Sequence, residues 1–379
     1  MKPAERVERV PPSGIRKFFE LAEEMDDIIS LGVGEPDFAA PWAAREAAIA
    51  SLEQGKTSYT ANRGKRELRE LIAADVDRRY DLDYDPDDEI LVTAGASEGI
   101  DLAFRALVDP GDTVAVAQPS YVSYVPGVTF AHGEVLDVPT RREDEFKLTR
   151  DVLEASGADA ADVLVMCYPN NPTGATMTED ELREVAAFAR DHDLAVLSDE
   201  IYSELSYEHE HTSIATLPGM RERTIVFNGF SKAYAMTGLR LGYALGPPEI
   251  VGAMNRVHQY TMLSAPTTAQ YAAIEALETC DDAVRDMCEQ YDRRRQFVLS
   301  RFEEMGIDCF RASGAFYAFP ESPWDDPGEF AEALLEAERV ALVPGTAFGA
   351  GGSGHLRVSY ATGLDDLKEA MARIERFVD

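Results

Sequence analysis

The sequence predicts an α/β protein with a mostly parallel central sheet, helices on both of its faces, and a smaller α+β domain. Three observations support this prediction. Strand-like and helix-like segments alternate through the middle of the chain, which is typical of βαβ units. The run VLVMCYP (163–169) is apolar almost throughout, as a strand buried on both faces is. About the last hundred residues instead combine long helical stretches with short, separated strand-like runs.

The middle of the chain is predicted to consist of strands separated by helices and turns. The strands are EILVTAG (89–95), TVAVAQP (113–119), VLVMCYP (163–169), LAVLS (194–198) and TIVFNG (224–229). A helix from Gly95 to Val108 follows the first strand, and the turn DPGD (109–112) ends it. After NNPTG (170–174), Thr178 and Glu181 form a capping box that begins the next helix.

The C-terminal part is predicted to begin with one helical stretch from about Thr267 to Met305. It continues with GAFYAFP (314–320), VALVPG (340–345), HLRVSY (355–360) and a final helix from Leu364 to Phe377. We therefore divide the chain into an N-terminal arm with part of the small domain, a large domain, and a small C-terminal domain, over 1–38, 39–275 and 276–379.

Composition and charge exclude several classes of function. The 379 residues include 69 acidic and 36 basic side chains, and the net charge of −33 argues against nucleic acid or an anionic membrane as a partner. A partner-binding patch is one interpretation of DLDYDPDDE (81–89), but acidity along the whole chain favours adaptation to high salt. The chain has no run of about 18 apolar residues, and MKPAERVERV (1–10) lacks the apolar segment of a signal peptide. We therefore expect a halophilic protein of the cytoplasm.

No metal site is predicted. The four cysteines form no CxxC pair, which suits a reduced cytosolic protein without a zinc knuckle or a disulfide framework. His209 and His211 could share one face of a strand, but the sequence offers no evident third ligand.

Polar residues follow the apolar runs at the points where the strands end. Because ligands of open α/β sheets bind beyond the carboxyl ends of the strands, we expect these residues to meet at one edge of the sheet. They are the turn Gly95-Ala96-Ser97, Tyr121, Asn171, Asp199 with Tyr202, and Lys232.

The chemistry of these residues points to a phosphorylated, aldehyde-bearing pyridine. Small residues at the start of a helix let backbone N–H groups approach a phosphate, although an ordinary tight turn has the same sequence. Ser231 and Arg240 could bind the same anion. Asp199 at the end of a buried strand needs a cation such as a protonated ring nitrogen, or it forms a helix cap or a structural ion pair. Lys232 is either a surface lysine or, if desolvated near other cations, a nucleophile toward carbonyls.

At this point the residues carry a resemblance to a known family. The chain resembles the class I pyridoxal-phosphate-dependent aminotransferases of fold type I, which include aspartate aminotransferase. The motifs appear in the family's order from residue 31 to residue 361. They are LGVGEPDF (31–38), YTANRGKRELR (59–69), TAGASEGI (93–100), NNPTG (170–174), SDEIY (198–202), FSKAYAMTGLRLGY (230–243) and LRVSYA (356–361).

The resemblance implies how the cofactor pyridoxal 5′-phosphate is held. Lys232 resembles the lysine that binds the cofactor aldehyde covalently, and Asp199 resembles the partner of the pyridine nitrogen. The resemblance implies that Asn171 and Tyr202 bind the phenolic oxygen and that Tyr121 stacks on the ring. The residues that it assigns to the phosphate are Ala96, Ser97, Ser231, Arg240 and, from the other subunit of a homodimer, Tyr59. Many family members have serine where this chain has Gly229, so one hydroxyl contact is absent here.

The resemblance also implies the reaction. Arg357 resembles the residue that binds the substrate α-carboxylate, with Gly34 and Asn171 beside it. The implied catalytic group comprises Lys232, Asp199 and Tyr202, which would move an amino group from an L-amino acid to a 2-oxo acid such as 2-oxoglutarate by a ping-pong mechanism.

Two questions stay open from the sequence. Carbon–sulfur β-lyases and related eliminating enzymes share this fold and its lysine, so lyase chemistry is the alternative function. Arg105 lies near a position where some family members carry a basic residue for a distal carboxylate, which favours aspartate or glutamate as substrate. An exposed helical arginine is the other interpretation of Arg105.

Overall fold

The computed structural model describes residues 1–12, 14–15, 25 and 27–379. In chain order, its strands are β1 (Ile29–Ser30), β2 (Ile90–Thr93), β3 (Thr113–Gln118), β4 (Glu134–Pro139), β5 (Val163–Cys167), β6 (Ala195–Asp199), β7 (Thr224–Gly229), β8 (Gly242–Leu245), β9 (Tyr317–Ala318), β10 (Val340–Ala341), β11 (Val343–Pro344) and β12 (Leu356–Ser359). Its α-helices are α1 (Glu5–Glu8), α2 (Trp42–Glu53), α3 (Arg66–Tyr80), α4 (Ala96–Leu107), α5 (Tyr124–Phe130), α6 (Arg150–Ala155), α7 (Glu179–Asp191), α8 (Pro248–Thr261), α9 (Thr267–Thr279), α10 (Asp281–Glu304), α11 (Pro327–Glu338) and α12 (Leu364–Val378).

A seven-stranded sheet in the order β2-β8-β7-β6-β5-β3-β4 forms the centre of the large domain. The strands are parallel except β8, which runs antiparallel to both of its neighbours, β2 and β7. This arrangement confirms the predicted α/β class with a mostly parallel sheet and each of the five predicted strands. The prediction missed β4, where EVLDVP is only half-buried, and β8, where GYAL is too short to show a period.

The sheet is buried on both faces, as the apolar run at β5 predicted. Val163 and Val165 pack into the core on one face, while Leu164 and Met166 pack into the core on the other. Alternate residues of a strand point to opposite faces, so both faces must be apolar when helices cover each of them.

The helical stretch predicted over 267–305 is two helices rather than one. Cys280 lies between α9 and α10 with φ −107° and ψ 13°, and it ends the first helix and begins the second. Asp281 and Asp282 fill the first turn of α10, where carboxylates are favoured by the helix dipole. The prediction missed this break because the sequence has neither glycine nor proline there.

The small domain contains a three-stranded antiparallel sheet, β11-β12-β9, and its core includes residues of α10, α11 and α12. The N-terminal strand β1 pairs in parallel with β10, so residues 29–30 lie against residues 340–341. The arm and the C-terminal part therefore share a strand pairing, while the exact domain boundaries stay a prediction. None of the helices within the described part of the chain is long and apolar enough to cross a membrane.

Candidate active site

A cavity of about 570 Å³ opens at the carboxyl ends of the parallel strands. Cys167 at the end of β5 pairs in register with Asp199 at the end of β6, which in turn pairs with Phe227 on β7. The polar residues that follow these strands are thereby brought to one edge, as expected. The cavity is lined by most of the predicted site, namely Gly34, Ala96, Ser97, Tyr121, Asn171, Asp199, Tyr202, Ser231, Lys232, Arg240 and Arg357.

Lys232 projects its amine into this cavity from the loop after β7. Its Nζ donates a hydrogen bond to the carbonyl oxygen of Gly34 at 2.7 Å. Desolvation by the surrounding protein lowers the pKa of Lys232 to about 8, and the nearby cations Arg357 and Arg240 add to that effect. The carboxylate of Glu35 opposes the lowering. A neutral amine is therefore accessible near neutral pH, which is the form that attacks an aldehyde.

Asp199 is a buried carboxylate at the end of β6, and its partners are neutral. The Tyr124 hydroxyl donates to its Oδ2 at 2.6 Å, and the backbone N–H of Ile201 donates to its Oδ1 at 3.2 Å. Desolvation raises the pKa of Asp199 to about 6, against the lowering effect of these two hydrogen bonds. Within the described residues, no Lys, Arg or His side chain forms an ion pair with it. A cationic ligand atom would therefore complete this environment.

Arg357 on β12 is a buried guanidinium without a carboxylate partner in the described parts of the chain. Its Nη1 donates to Oδ1 of Asn171 at 3.0 Å, its Nη2 donates to the carbonyl oxygen of Gly32 at 2.5 Å, and its Nε has no hydrogen-bond partner. The rings of Tyr317 and Phe348 lie 4.7 and 4.6 Å from its Cζ. Burial lowers the pKa of this arginine, because an isolated charge is costly away from water. The arrangement suits an anionic ligand group such as a carboxylate.

The turn at the start of α4 lies against the loop between β7 and β8. Gly95 has φ +83°, and a Cβ at this position would come within 2.7 Å of Nη2 of Arg240. A Cβ at Gly242 would come within 2.4 Å of the backbone nitrogen of Ala96. Glycine at these two positions therefore allows the turn to pack closely against Arg240 and β8, and Ala96, Ser97 and Arg240 all line the cavity.

Glycine is also required at position 229 for a steric reason. A Cβ at Gly229 would lie 2.7 Å from Cα of Gly242. This backbone therefore has no room for the serine that the family resemblance would lead one to expect at this position. Ser231, in the same loop, lines the cavity and is the hydroxyl-bearing residue that the resemblance assigns to the phosphate.

The structure leaves two of the predicted residues outside the cavity. Tyr59 is 80% exposed and does not reach the site of its own chain. Arg105 lies on the solvent side of α4, where its Nε pairs with Oδ2 of Asp101 at 2.7 Å. Arg105 is half exposed and bound to a residue on its own helix, so it does not line the cavity around Lys232, and its role at the substrate stays a prediction.

Several contributing residues were missed by the sequence reasoning. Tyr124, Tyr317 and Phe348 contact the predicted residues without lying directly after a strand-like run of the central sheet. The only signal for Tyr124 was a second tyrosine three residues after Tyr121, and the two rings pack edge to face at 5.6 Å. The hydroxyls of Tyr202 and Tyr317 are hydrogen-bonded to each other at 2.8 Å.

A second compartment of about 940 Å³ adjoins the first. The two share Ile15, Ser97, Ile100 and Tyr121. The walls of the second compartment are largely apolar, with Phe104, Val125, Phe130 and Phe348 among them. Its charged wall residues within the described ranges are Arg9, Asp101 and Asp137.

Comparison with known proteins gives a consistent result. Residues 26–374 match the family described as "Aminotransferase class I and II". The chain is 49% identical to a putative aminotransferase of Bacillus subtilis over 98% of this chain and 97% of that one. It is 43% identical to an aspartate aminotransferase of Pyrococcus abyssi, with 99% and 98% covered. The solved aspartate aminotransferase of Thermus thermophilus with maleate is 39% identical with a TM-score of 0.93, and 99% of each chain is covered.

Proposed function

Because the chain belongs to the class I and II aminotransferase family, we propose that its pyridoxal-phosphate-dependent amino transfer takes place in the cavity around Lys232. The proposal rests on the surroundings of the Lys232 amine, which shares its cavity with the carboxylate of Asp199 and the guanidinium groups of Arg240 and Arg357. Among the described residues, none of these three groups has an ion-pair partner. They match the ring nitrogen, the phosphate and the substrate carboxylate respectively.

The residues present fit the cofactor. Asp199 offers a buried negative charge to a protonated ring nitrogen, and Tyr121 offers an aromatic face to the ring. Asn171 and Tyr202 line the same cavity, and their amide and hydroxyl groups would donate hydrogen bonds to the phenolic oxygen. The residues that would hold the phosphate are Ala96, Ser97, Ser231 and Arg240. When bound, pyridoxal phosphate supplies an aldehyde for the amino group and a ring that accepts the electron pair released at the substrate α-carbon.

Lys232 and Arg357 carry out the chain's own part of the reaction. Arg357 binds the substrate α-carboxylate through its guanidinium and so fixes the orientation of the α-carbon. The neutral Lys232 amine, with a pKa of about 8, takes up the proton of that carbon and delivers it later as a general acid. Asp199 keeps the opposite end of the site negative while this proton moves.

Borohydride reduction of the loaded enzyme, followed by peptide mapping, tests the proposed role of Lys232. We expect the reduced cofactor on Lys232 alone, and a label on another lysine would disprove the assignment. Incubation with an amino acid, with and without 2-oxoglutarate, separates amino transfer from the lyase alternative. Ammonia and pyruvate formed without an acceptor would indicate elimination.

We propose that substrates with uncharged, bulky side chains are preferred over dicarboxylates. The second compartment is apolar, and Arg9 is the only Lys or Arg among its described lining residues. Arg9 is itself paired with Glu5 at 2.7 Å. Among the described lining residues, no cation without a carboxylate partner is therefore available to a distal carboxylate, whereas the apolar walls suit an uncharged side chain. A half-reaction panel over the common amino acids, measured by cofactor absorbance, tests this order, and faster reaction of aspartate than of phenylalanine would refute it.

We further propose that two copies of the chain form the working enzyme. Large apolar side chains are exposed on α2, near the C-terminal end of α8 and in the loop after α2, including Trp42, Ile49, Tyr260, Leu263 and Tyr59. Asn62 donates to the carbonyl oxygen of Leu263 at 2.6 Å, which joins the loop of Tyr59 to this patch. A second copy covering the patch would bring Tyr59 toward the partner's phosphate. Light scattering tests the dimer, and mixing Tyr59→Phe with Lys232→Ala chains tests the sharing of sites.

The proposed setting is a salt-rich cytoplasm. With a net charge of −33, the acidic side chains of the surface repel one another at low salt. Screening of this repulsion by salt should therefore favour the compact state. Both the activity and the melting temperature should rise as the KCl concentration is increased from about 0.1 to about 3 M. A melting temperature independent of salt would contradict halophilic adaptation.

A further inference from the structure

A buried histidine and a partly buried glutamate lie behind the turn that is proposed to hold the cofactor phosphate. His258, in the last turn of α8, is fully buried. Its Nδ1 lies 2.7 Å from Oε1 of Glu98, in the first turn of α4. The other carboxylate oxygen of Glu98 accepts the backbone N–H of Ala94, the residue just before the turn. The pair therefore joins α8 to the backbone that enters the turn.

Packing alone does not explain this pair. A carboxylate only accepts hydrogen bonds, so the hydrogen lies on Nδ1 of His258 and the bond runs from His258 to Glu98. Nε2 of His258 is buried and has no hydrogen-bond partner in the described residues. A leucine would fill the same space without leaving a buried polar atom unpaired. The histidine is thus disfavoured as a packing residue and is explained by its bond to Glu98.

The charge of Glu98 makes its position significant. It lies in the same helical turn as Ser97, and a carboxylate that was free to rotate toward a bound phosphate would repel it. The two hydrogen bonds of Glu98 hold its oxygens on Ala94 and His258, neither of which lines the cavity. The carboxylate can then fix the backbone of the turn without competing with the ligand.

We propose that Glu98 and His258 are positioning residues for the cofactor phosphate. Glu98 fixes the entry to the Gly95-Ala96-Ser97 turn, and His258 fixes Glu98. This inference rests on the proposed function, since it takes the turn to be the phosphate site. It predicts a selective effect: disturbing the pair weakens the binding of a phosphorylated ligand and leaves a ligand without phosphate nearly unaffected.

Binding to the apoenzyme tests the proposal with two probes, pyridoxal phosphate and pyridoxal, which lacks the phosphate. The dissociation constant of each is measured by absorbance for wild type, His258→Leu, Glu98→Ala and Glu98→Gln. The matched control is His211→Leu, because His211 is also a buried histidine bonded to a buried glutamate, Glu200, at 2.9 Å. That second pair lies beside Asp199, on the ring-nitrogen side of the site.

We expect His258→Leu and Glu98→Ala to weaken pyridoxal phosphate binding by about tenfold or more, since each removes a hydrogen bond to a charged group. The dissociation constant of pyridoxal should change by less than about twofold, because pyridoxal has no phosphate to contact the altered turn. Glu98→Gln keeps an acceptor for Ala94, so its affinity ratio for the two probes should stay close to that of wild type. His211→Leu should shift both probes together.

The proposal would be overturned if His258→Leu and Glu98→Ala changed the dissociation constants of both probes by the same factor. It would also be overturned if these variants changed neither dissociation constant. If His258→Leu does not fold by circular dichroism, Glu98→Ala and Glu98→Gln still decide it. Failure of the proposed function has a different signature. In that case wild type itself would bind pyridoxal phosphate no better than pyridoxal, or would carry no label on Lys232 after reduction.

Discussion

Replacing Lys232 with methionine should stabilise the apoprotein while abolishing amino transfer. Burial holds the pKa of this amine at about 8 instead of 10.5, so the folded protein disfavours the charged form. At about 1.4 kcal/mol for each pH unit between the two values, the penalty at pH 7 is about 3 kcal/mol. Methionine avoids this penalty but loses the hydrogen bond to Gly34, which contributes about 1 kcal/mol. The expected net gain in unfolding free energy is therefore about 2 kcal/mol.

The sign of the pH dependence distinguishes this cause from better packing. Below pH 8 the wild-type amine is charged in both the folded and the unfolded chain, so the penalty is fully present. Above pH 10.5 the amine is neutral in both, and the penalty disappears. The advantage of Lys232→Met should consequently be largest at neutral pH and should shrink as the pH rises above 8.

Urea unfolding of apo wild type and Lys232→Met, at fixed protein concentration and fixed KCl, measures the difference in unfolding free energy at about pH 7 and about pH 9.5, on either side of the lowered pKa of Lys232. Lys56→Met is the matched control, because Lys56 is exposed and its replacement should change stability by less than about 0.5 kcal/mol. A Lys232→Met protein that is no more stable than wild type at pH 7 would refute the reasoning. A gain that is the same at both pH values would indicate packing instead.

Three further outcomes are expected. Tyr124→Phe removes the hydrogen bond to Asp199, so the pKa of that carboxyl should rise further above about 6, and the pH titration of the bound cofactor's absorbance should shift. An unchanged titration would contradict the role of Tyr124 as a hydrogen-bond donor to Asp199. Arg357→Leu should raise KM for every amino acid by about a hundredfold, as expected for a lost buried charge pair, whereas selective loss for one substrate class would contradict its α-carboxylate role. Arg105→Leu should leave the ratio of kcat/KM for dicarboxylic and neutral substrates unchanged, because Arg105 is half exposed and already paired with Asp101 on its own helix, and a selective loss of dicarboxylate activity would instead support a role of Arg105 at the substrate.

Several cavity residues could be identified without the resemblance, because they come soon after an apolar strand or start the next helix. Asp199 and Lys232 are found this way, because β6 and β7 are buried on both faces and their ends are visible as a change from apolar to polar residues. The parallel register then brings these strand ends together. Short sequence motifs are enough to predict this, because it follows from the topology of the sheet.

The residues that were missed act across large sequence separations. Tyr124 reaches Asp199 from 75 residues away, and His258 reaches Glu98 from 160 residues away. Nothing local marks such partners, because their role depends on how helices pack over the sheet. Arg105 is a different case, since Asp101 four residues earlier already indicated an ion pair on one face of a helix.

The electrostatics of the site explain why stability and function oppose each other here. Asp199, Lys232 and Arg357 each lie in surroundings that disfavour their charge, and each has a pKa shifted by desolvation toward its neutral form. Such groups destabilise an empty protein, so they are explained only by a ligand of matching charge pattern: a cationic ring atom, an aldehyde and a carboxylate. The cofactor would relieve the penalty at Asp199 by pairing and the penalty at Lys232 by covalent capture, while the substrate carboxylate would relieve the penalty at Arg357. Cofactor binding should therefore raise the stability of this protein by more than its contact area alone would predict, and substrate binding should raise it further.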